Sequence, residues 1–192
     1  WAFFETFVGA EDHWLPPDNY QEYRAAALAH RTSPTNMGLA LLANLTAHDF
    51  GYIPAGQLLE RTAQSLETMA GLERHRGHFY NWYDTLSLRP LHPAYISTVD
   101  SGNLAGHLLT LRPGLMALLD RPILETRWLA GLIDTLGILE EAASETDPAS
   151  LAKFRKELES AYNARPATLP AARTLLERLT RSAEAVVALP ER

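Results

Sequence analysis

Apolar residues recur at intervals of three and four through most of the chain, which is the spacing of one face of an α-helix. In the second half, such stripes cover residues 128–139, 151–162 and 175–187. Asp147 and Thr168 precede the last two stripes and can accept hydrogen bonds from first-turn N–H groups, as helix-capping residues do. Alternation typical of strands is brief. The pattern therefore predicts an all-α chain of about six or seven helices.

The first half contains apolar segments that differ in how much of their surface is apolar. Residues 59–70 carry a single stripe, and Pro54 can begin this helix. Residues 36–49 are apolar on nearly all sides, which favours an inner helix with neighbours around most of its circumference. The segment 104–119 is similar, but it contains Pro113, which we expect to kink or split the helix.

Two long stretches, residues 9–35 and 77–100, do not follow the helical pattern. Connections of this length are uncommon in compact domains and are usually functional or disordered. Of the 17 Phe, Trp and Tyr residues, 12 lie in residues 1–36 or 77–103. Disordered segments are poor in aromatic residues, because aromatic burial drives ordering. We therefore expect two long ordered loops.

Composition and charge exclude several classes of partner. The net charge is -6 and the 17 basic residues are scattered, so we expect no nucleic-acid partner. No apolar run approaches the roughly 18 to 20 residues that cross a bilayer, so this segment should not insert into a membrane. Cysteine is absent, which excludes disulfides. The chain opens inside an apolar stretch at Trp1, and we expect the natural start to lie elsewhere.

The side chains of the two loops suit carbohydrate recognition. Flat aromatic faces stack on the C–H faces of sugar rings, and Asp, Asn and His at their edges can bind hydroxyl groups. A structural interpretation stays open beside this one. It makes Phe79, Trp82 and Tyr83 core residues under a long loop, with Asp84 and Asp100 as caps of helices or turns. In the first loop, capping by Thr35 or Asn36 is the corresponding structural role.

The sequence contains weaker signals for catalysis and metal binding than for carbohydrate recognition. Glycoside cleavage needs two carboxyl groups across a cleft, about 5 Å apart when configuration is retained. The loop carboxylates are Asp18, Glu22, Asp84 and Asp100, and each of them can instead bind hydroxyls. His75 and His78 have no third ligand at a suitable spacing, so we predict no metal and no cofactor.

Five blocks of sequence resemble successive blocks of the cyclic β-1,2-glucan synthases. They cover residues 1 to about 111, and five blocks in order make a specific match, whereas residues beyond about 120 are similar only loosely. The blocks are WAFFETFV (1–8), LPPDNYQE (15–22), AHRTSPTN (29–36), GHFYNWYDT (77–85) and STVDSGNL (97–104).

This resemblance implies a place at the start of the family's middle, cyclising module. The family joins a UDP-glucose-dependent glucosyltransferase to a retaining transglycosylase that cyclises linear β-1,2-glucan, on the cytoplasmic face of the inner membrane. Residues 1–192 would then be a single helical region forming about half of an (α/α)6 toroid. Residues 1–120 would carry the family blocks, and residues 121–192 would be amphipathic helices.

The same resemblance implies roles for the loop residues. The family's catalytic carboxylates are expected further downstream, so no catalytic residue is assigned and the isolated chain should be inactive. The expected partners are β-1,2-glucan, the other half of the toroid and neighbouring domains, and an exposed apolar seam can favour a non-native dimer. The alternative is a non-catalytic glycan-binding or structural helical module. The candidate glucan-binding residues, which stack on glucose, bind hydroxyls or brace the loops, are Trp82, Tyr83, Asp84, Asp100, Asn103, Asn19, Glu22, His30 and Arg31.

Overall fold

The computed structural model describes residues 1–25, 27–122, 125–142, 148–164 and 166–187. Within these residues the chain is mostly α-helical, which confirms the predicted fold class, and its strands have two residues each. The helices are α1 (Ala2–Phe7), α2 (Pro34–Asp49), α3 (Ala55–Gly71), α4 (Thr98–Met116), α5 (Arg127–Ala142), α6 (Pro148–Ala164) and α7 (Leu169–Val187). The strands are β1 (Arg31–Thr32), β2 (Arg74–His75), β3 (His78–Phe79) and β4 (Tyr83–Asp84).

The chain divides into two compact units, which we call the first unit and the second unit. The first comprises Trp1–His48 and Ile53–Asp120, and the second comprises Asp49–Tyr52 and Arg121–Arg192. The single helical region and the half-toroid stay predictions.

The core of the first unit is built around α2. Met37, Leu41 and Leu45 of this helix are buried together with Leu58 of α3 and Leu104 of α4. More residues are buried in α2 than in α3 or α4. This is expected for a helix that is apolar on nearly all sides. Leu15 of the first loop and Tyr83 of the second loop are buried in the same core. These two side chains anchor the loops to the helices.

Serines cap the starts of two helices of the first unit, α2 and α4. The Ser33 hydroxyl accepts a hydrogen bond from the N–H of Asn36 (3.2 Å) and caps α2, in place of the expected Thr35 or Asn36. Ser97 caps α4 by accepting from the N–H of Asp100 (3.1 Å). As a result α4 begins at Thr98, six residues before the position that the apolar pattern marks.

The predicted split of α4 at Pro113 is wrong, because the helix continues to Met116. Proline removes one backbone donor, and near the end of a helix this loss affects a single turn. The chain then continues as a 3-10 helix, Ala117–Asp120.

The second unit is formed by α5, α6 and α7, which pack in chain order. Its core contains Leu129 and Leu136 of α5, Leu151 and Leu158 of α6, and Leu179 of α7. The predicted cap is confirmed at the start of α7, where the Thr168 hydroxyl accepts from the N–H of Ala171 (3.3 Å). Asp147, the other predicted cap, lies outside the described residues.

Candidate functional site

The two predicted loops meet through their backbones. Strand β1 of the first loop pairs antiparallel with β4 of the second, with Arg31 opposite Asp84 and Thr32 opposite Tyr83. One further bond extends this contact, since the N–H of Thr85 donates to the carbonyl of His30 (3.1 Å). The hydrogen bonds between β1 and β4 fix the backbones of the two loops relative to each other. Candidate residues that are distant in sequence therefore lie side by side.

Asp18 organises the polar side chains of the first loop. Its Oδ2 accepts hydrogen bonds from Arg31 Nη2 (2.9 Å) and Nε (3.2 Å) and from Asn19 Nδ2 (2.9 Å). Its Oδ1 accepts from Asn36 Nδ2 (3.2 Å). Hydrogen bonds of this kind to an ionised carboxylate are stronger than neutral ones, so Asp18 holds Arg31 and Asn19 in place.

Trp82 lies next to this group. The guanidinium of Arg31 stands over the indole at 5.0 Å from the ring centroid and covers one of its faces. The indole Nε1 donates to Oδ1 of Asn81 (2.6 Å) with the amide of Asn81 oriented by its hydrogen-bond network. Trp82 is therefore half-buried and fixed at two points, and Arg31 occupies one face of its ring.

Asp100 links the second loop to the start of α2. Thr35 Oγ1 donates to Asp100 Oδ1 (2.6 Å), and Asn103 Nδ2 donates to Thr35 Oγ1 (3.1 Å). The amide of Asn81 donates to Asp100 Oδ2 (2.8 Å). These contacts run from Asp18 through Arg31, Trp82, Asn81 and Asp100 to Thr35, and from Asp18 to Asn36, the chain neighbour of Thr35; the peptide link between Thr35 and Asn36 closes the circuit. We call these seven residues, with Asn19 and Asn103, the Trp82 cluster.

The hydrogen bonds around Asp100 keep its carboxyl ionised. Burial acts to raise its pKa, but hydrogen bonds from Ser97, Thr35 and Ser33 outweigh burial and hold the pKa below its ordinary value. Asp100 is consequently an acceptor of hydrogen bonds at neutral pH and not a proton donor.

Asp100 should make the stability of the chain sensitive to acid. A carboxyl with a lowered folded pKa stabilises the folded state above the unfolded pKa, about 3.9 for aspartate. That contribution is lost as the pH falls through the folded pKa. We expect Asp100→Asn to flatten the acid-induced decline of the unfolding free energy between about pH 4 and pH 2. Urea unfolding across this range measures the effect, with the exposed Asp120→Asn as the matched control. Equal declines for wild type and Asp100→Asn would contradict it.

His30 and Asp84 serve the loop framework. The Nδ1 of His30 donates to Oδ1 of the buried Asp12 (2.8 Å), which also accepts a short hydrogen bond from the Thr85 hydroxyl. Asp84 accepts from the N–H of Ser87 (2.7 Å) and from its hydroxyl (2.8 Å). The Ser87 N–H is the main reason why the pKa of Asp84 lies below its ordinary value. Both residues therefore brace turns, and Asp84 matches the alternative interpretation of a turn cap.

Tyr83 and Glu22 lie outside the Trp82 cluster. The Tyr83 side chain is 0% exposed, so neither face of its ring is open to a sugar. Its hydroxyl donates to the carbonyl of Glu73 (2.7 Å) and accepts from the N–H of Tyr80 (2.8 Å). Burial raises the pKa of Tyr83. Glu22 is exposed and makes no side-chain hydrogen bond or ion pair with another described residue.

Four residues outside the list of candidate glucan-binding residues complete the cluster, and of these the sequence analysis missed Asn81 altogether. Asn81 connects Trp82 to Asp100, Asp18 holds Arg31, and Thr35 and Asn36 contribute side chains without capping α2. One signal was available for Asn81, because an amide between Tyr80 and Trp82 in an aromatic run needs polar partners once it is buried.

His75 and His78 stand opposite each other in the β2–β3 hairpin. No group of three or more His, Cys, Asp or Glu side chains in the described residues is placed to hold a metal ion. None of the helices, over the same residues, has the length and apolar character needed to span a bilayer.

The fold and the Trp82 cluster together define a mostly α-helical segment that carries a fixed group of polar and aromatic side chains. No family model matches the chain. Over 146 residues, 76% of its length, the chain is 43% identical to the cyclic beta-(1,2)-glucan synthase NdvB of Rhizobium meliloti (strain 1021). It spans 5% of that protein's length. The chain thus corresponds to a short segment of a cyclic β-1,2-glucan synthase, and the predicted resemblance is confirmed at this fragment level.

Proposed function

We propose that the Trp82 cluster binds glucose units of a β-1,2-glucan, and that the chain supplies this binding surface to a larger glucan-cyclising enzyme. The supporting observation is the circuit, closed through the Thr35–Asn36 peptide link, that joins Trp82 to Arg31, Asp18 and Asp100. A circuit of this kind fixes each polar group before the ligand arrives. Binding then requires little ordering of side chains.

The chemistry of the cluster fits a sugar ring better than a charged ligand. The C–H face of a glucose unit can stack on the Trp82 face opposite Arg31. Asp18 and Asp100 offer carboxylate acceptors, while Asn19 and Asn103 offer amide groups that both donate and accept. Because Asp18 neutralises Arg31, the surface has no unpaired cation that would select an anion.

The wider activity is proposed on the same basis. In our proposal the chain takes part in retaining transglycosylation of linear β-1,2-glucan, with catalytic carboxylates elsewhere in the longer protein. Asp84 and Asp100 have lowered pKa values, which suits binding and bracing and does not suit a general acid at neutral pH. We also propose that the longer protein acts at the cytoplasmic face of the inner membrane and that its neighbouring domains are partners of this chain. The isolated chain is proposed to be inactive.

Calorimetric titration with linear β-1,2-glucooligosaccharides tests the binding proposal. We expect the 192-residue chain to bind and Trp82→Ala to weaken the affinity at least about tenfold, as removal of an aromatic anchor typically does. Tyr23→Ala is the matched control, since Tyr23 is 96% exposed and its side chain forms no hydrogen bond or ring contact with a residue of the cluster. Identical titrations for wild type and Trp82→Ala would remove the proposed stacking role.

A structural module is the second candidate function. It is favoured by the fully buried Tyr83 and by His30 and Asp84, whose Nδ1 and Oδ1 atoms form hydrogen bonds within the loops. This alternative predicts no heat of binding with any glucooligosaccharide. Formation of cyclic products by the chain alone would instead contradict the expected lack of activity.

A further inference from the structure

A cavity of about 520 Å³ lies in the second unit, where α5 begins and α6 ends. Its volume falls within the roughly 300 to 1,000 Å³ that small-molecule sites occupy. Two aromatic side chains, Trp128 and Tyr162, stand in its wall beside Glu125, Thr126 and Arg127. The cavity thus combines flat apolar surface with a few polar groups.

The aromatic wall is firmly supported. Trp128 is half-buried and packs against the core of the second unit, directly next to the fully buried Leu129. Tyr162 follows the buried Ala161 on α6 and is 38% exposed. The Trp128 ring therefore rests on the core of the second unit, and part of each ring stays accessible. A rigid aromatic surface of this kind loses little conformational entropy on binding.

The charges in the cavity are already paired with one another. Arg127 Nη1 donates to Asp49 Oδ1 (2.8 Å), and the Arg127 guanidinium also forms an ion pair with Glu125. Asp49 accepts in addition from Arg121 Nη1 (2.9 Å). A charged ligand would have to displace one of these partners. The arrangement consequently favours a neutral, hydroxyl-bearing ligand that stacks on the rings.

A larger depression in the same unit lacks these features. It has a volume of about 730 Å³ and runs along α7, from Leu169 to Glu184. Its wall contains no aromatic side chain. Size alone therefore does not single out a site, whereas the combination of two aromatic rings with paired charges does.

We infer that the cavity beside Trp128 is a second glycosyl-binding site, which takes a neutral sugar ring of a glucan and is separate from the Trp82 cluster. The choice of glucan as the ligand rests on the proposed function. The site itself rests on the geometry of Trp128, Tyr162 and the Glu125–Arg127 pair. With two such sites, one chain would bind two separate glucose units of a long glucan.

Fluorine NMR of the chain labelled with 5-fluorotryptophan separates the two sites, because the sequence contains four tryptophans. Single Trp→Phe variants assign the four resonances. During titration with linear β-1,2-glucooligosaccharides we expect the Trp128 and Trp82 resonances both to shift, and the Trp128 shift to persist in Trp82→Ala. A shift of Trp82 without Trp128 overturns the second site and leaves the proposed function standing. A shift of Trp128 alone supports the second site and contradicts the proposed function, and no shift of either overturns both.

A variant of the second ring provides an independent check. Tyr162→Leu keeps an apolar side chain but removes the aromatic face and the hydroxyl. We expect it to raise the glucan concentration at half-maximal Trp128 shift about tenfold. Tyr23→Leu serves as the matched control and should leave that concentration unchanged. An unchanged midpoint in a folded Tyr162→Leu chain would overturn the site, and if this variant unfolds, the titration of the unaltered chain decides.

Discussion

Replacing Arg61 with alanine is expected to lower the free energy of unfolding by about 3 kcal/mol, since buried acceptors that lose their donor cost about 1 to 3 kcal/mol each. Arg61 of α3 is only 8% exposed. Its Nη2 donates to the carbonyls of Phe4 (2.8 Å) and Val8 (3.0 Å), and its Nε donates to Asn44 Oδ1 (3.1 Å). The guanidinium thus connects α1, α2 and α3.

Two tryptophans add to the effect of this arginine. The guanidinium of Arg61 lies over the rings of Trp1 (5.2 Å) and Trp14 (5.5 Å). Burial lowers the pKa of Arg61, but an arginine stays charged at any pH at which the chain is folded. The charge is therefore stabilised by carbonyl dipoles and ring faces. Alanine would remove all of these contacts together.

Urea unfolding followed by circular dichroism measures the change at Arg61. Arg61→Lys should lie between wild type and alanine, because an ammonium keeps the charge but cannot reach the three acceptors as a planar fork. The exposed Arg24→Ala is the matched control and should stay within about 0.5 kcal/mol of wild type. A stability of Arg61→Ala within that margin would show that water replaces the guanidinium at little cost.

Helical periodicity predicted much of the fold because it depends on spacing within one segment. It indicated α2, α3, α5, α6 and α7. It did not indicate α1, since six residues make less than two turns. Capping serines were missed for a related reason. Ser33 and Ser97 act only once the following backbone has turned into a helix, and neighbouring Thr and Asn residues compete for the same role.

The sequence predicted which residues belong to the candidate site better than it predicted how they are arranged. Arg31 and Trp82 come together because β1 pairs with β4, while Asp100 and Asn103 of α4 join them through Thr35 and Asn81. Contacts between segments this far apart leave no periodic signal in any one of them.

Burial along the second loop shows what a strand assignment would have added. From Asn81 to Thr85 the residues alternate between buried and half-buried, with Tyr83 buried and with Trp82 and Asp84 on the other side. Side chains of a strand point alternately to opposite faces. Recognising the strand would therefore have separated Trp82, which can meet a ligand, from Tyr83, which belongs to the core.

Gly51 should tolerate no side chain. Its φ of +80° is one that residues with a Cβ adopt at a cost of about 1 to 2 kcal/mol. A Cβ at this position would lie 1.9 Å from the carbonyl oxygen of Arg127, a backbone atom at the start of α5 that cannot rotate away. Overpacking adds about 1 to 3 kcal/mol, so we expect Gly51→Ala to destabilise the second unit by about 3 kcal/mol.

The effect of Gly51→Ala should reach the cavity beside Trp128. The same Cβ would lie 2.9 Å from the backbone nitrogen of Trp128, so relief of the overlap must move the segment that carries this ring. The 5-fluorotryptophan resonance of Trp128, followed during urea unfolding, measures both the loss of stability and the displacement. Gly56→Ala is the matched control, because nothing lies within 4 Å of its Cβ, and in α3 it should stabilise by up to about 1 kcal/mol. Wild-type stability and an unshifted Trp128 resonance in Gly51→Ala would mean that the turn and α5 do not pack as closely as the backbone distances require.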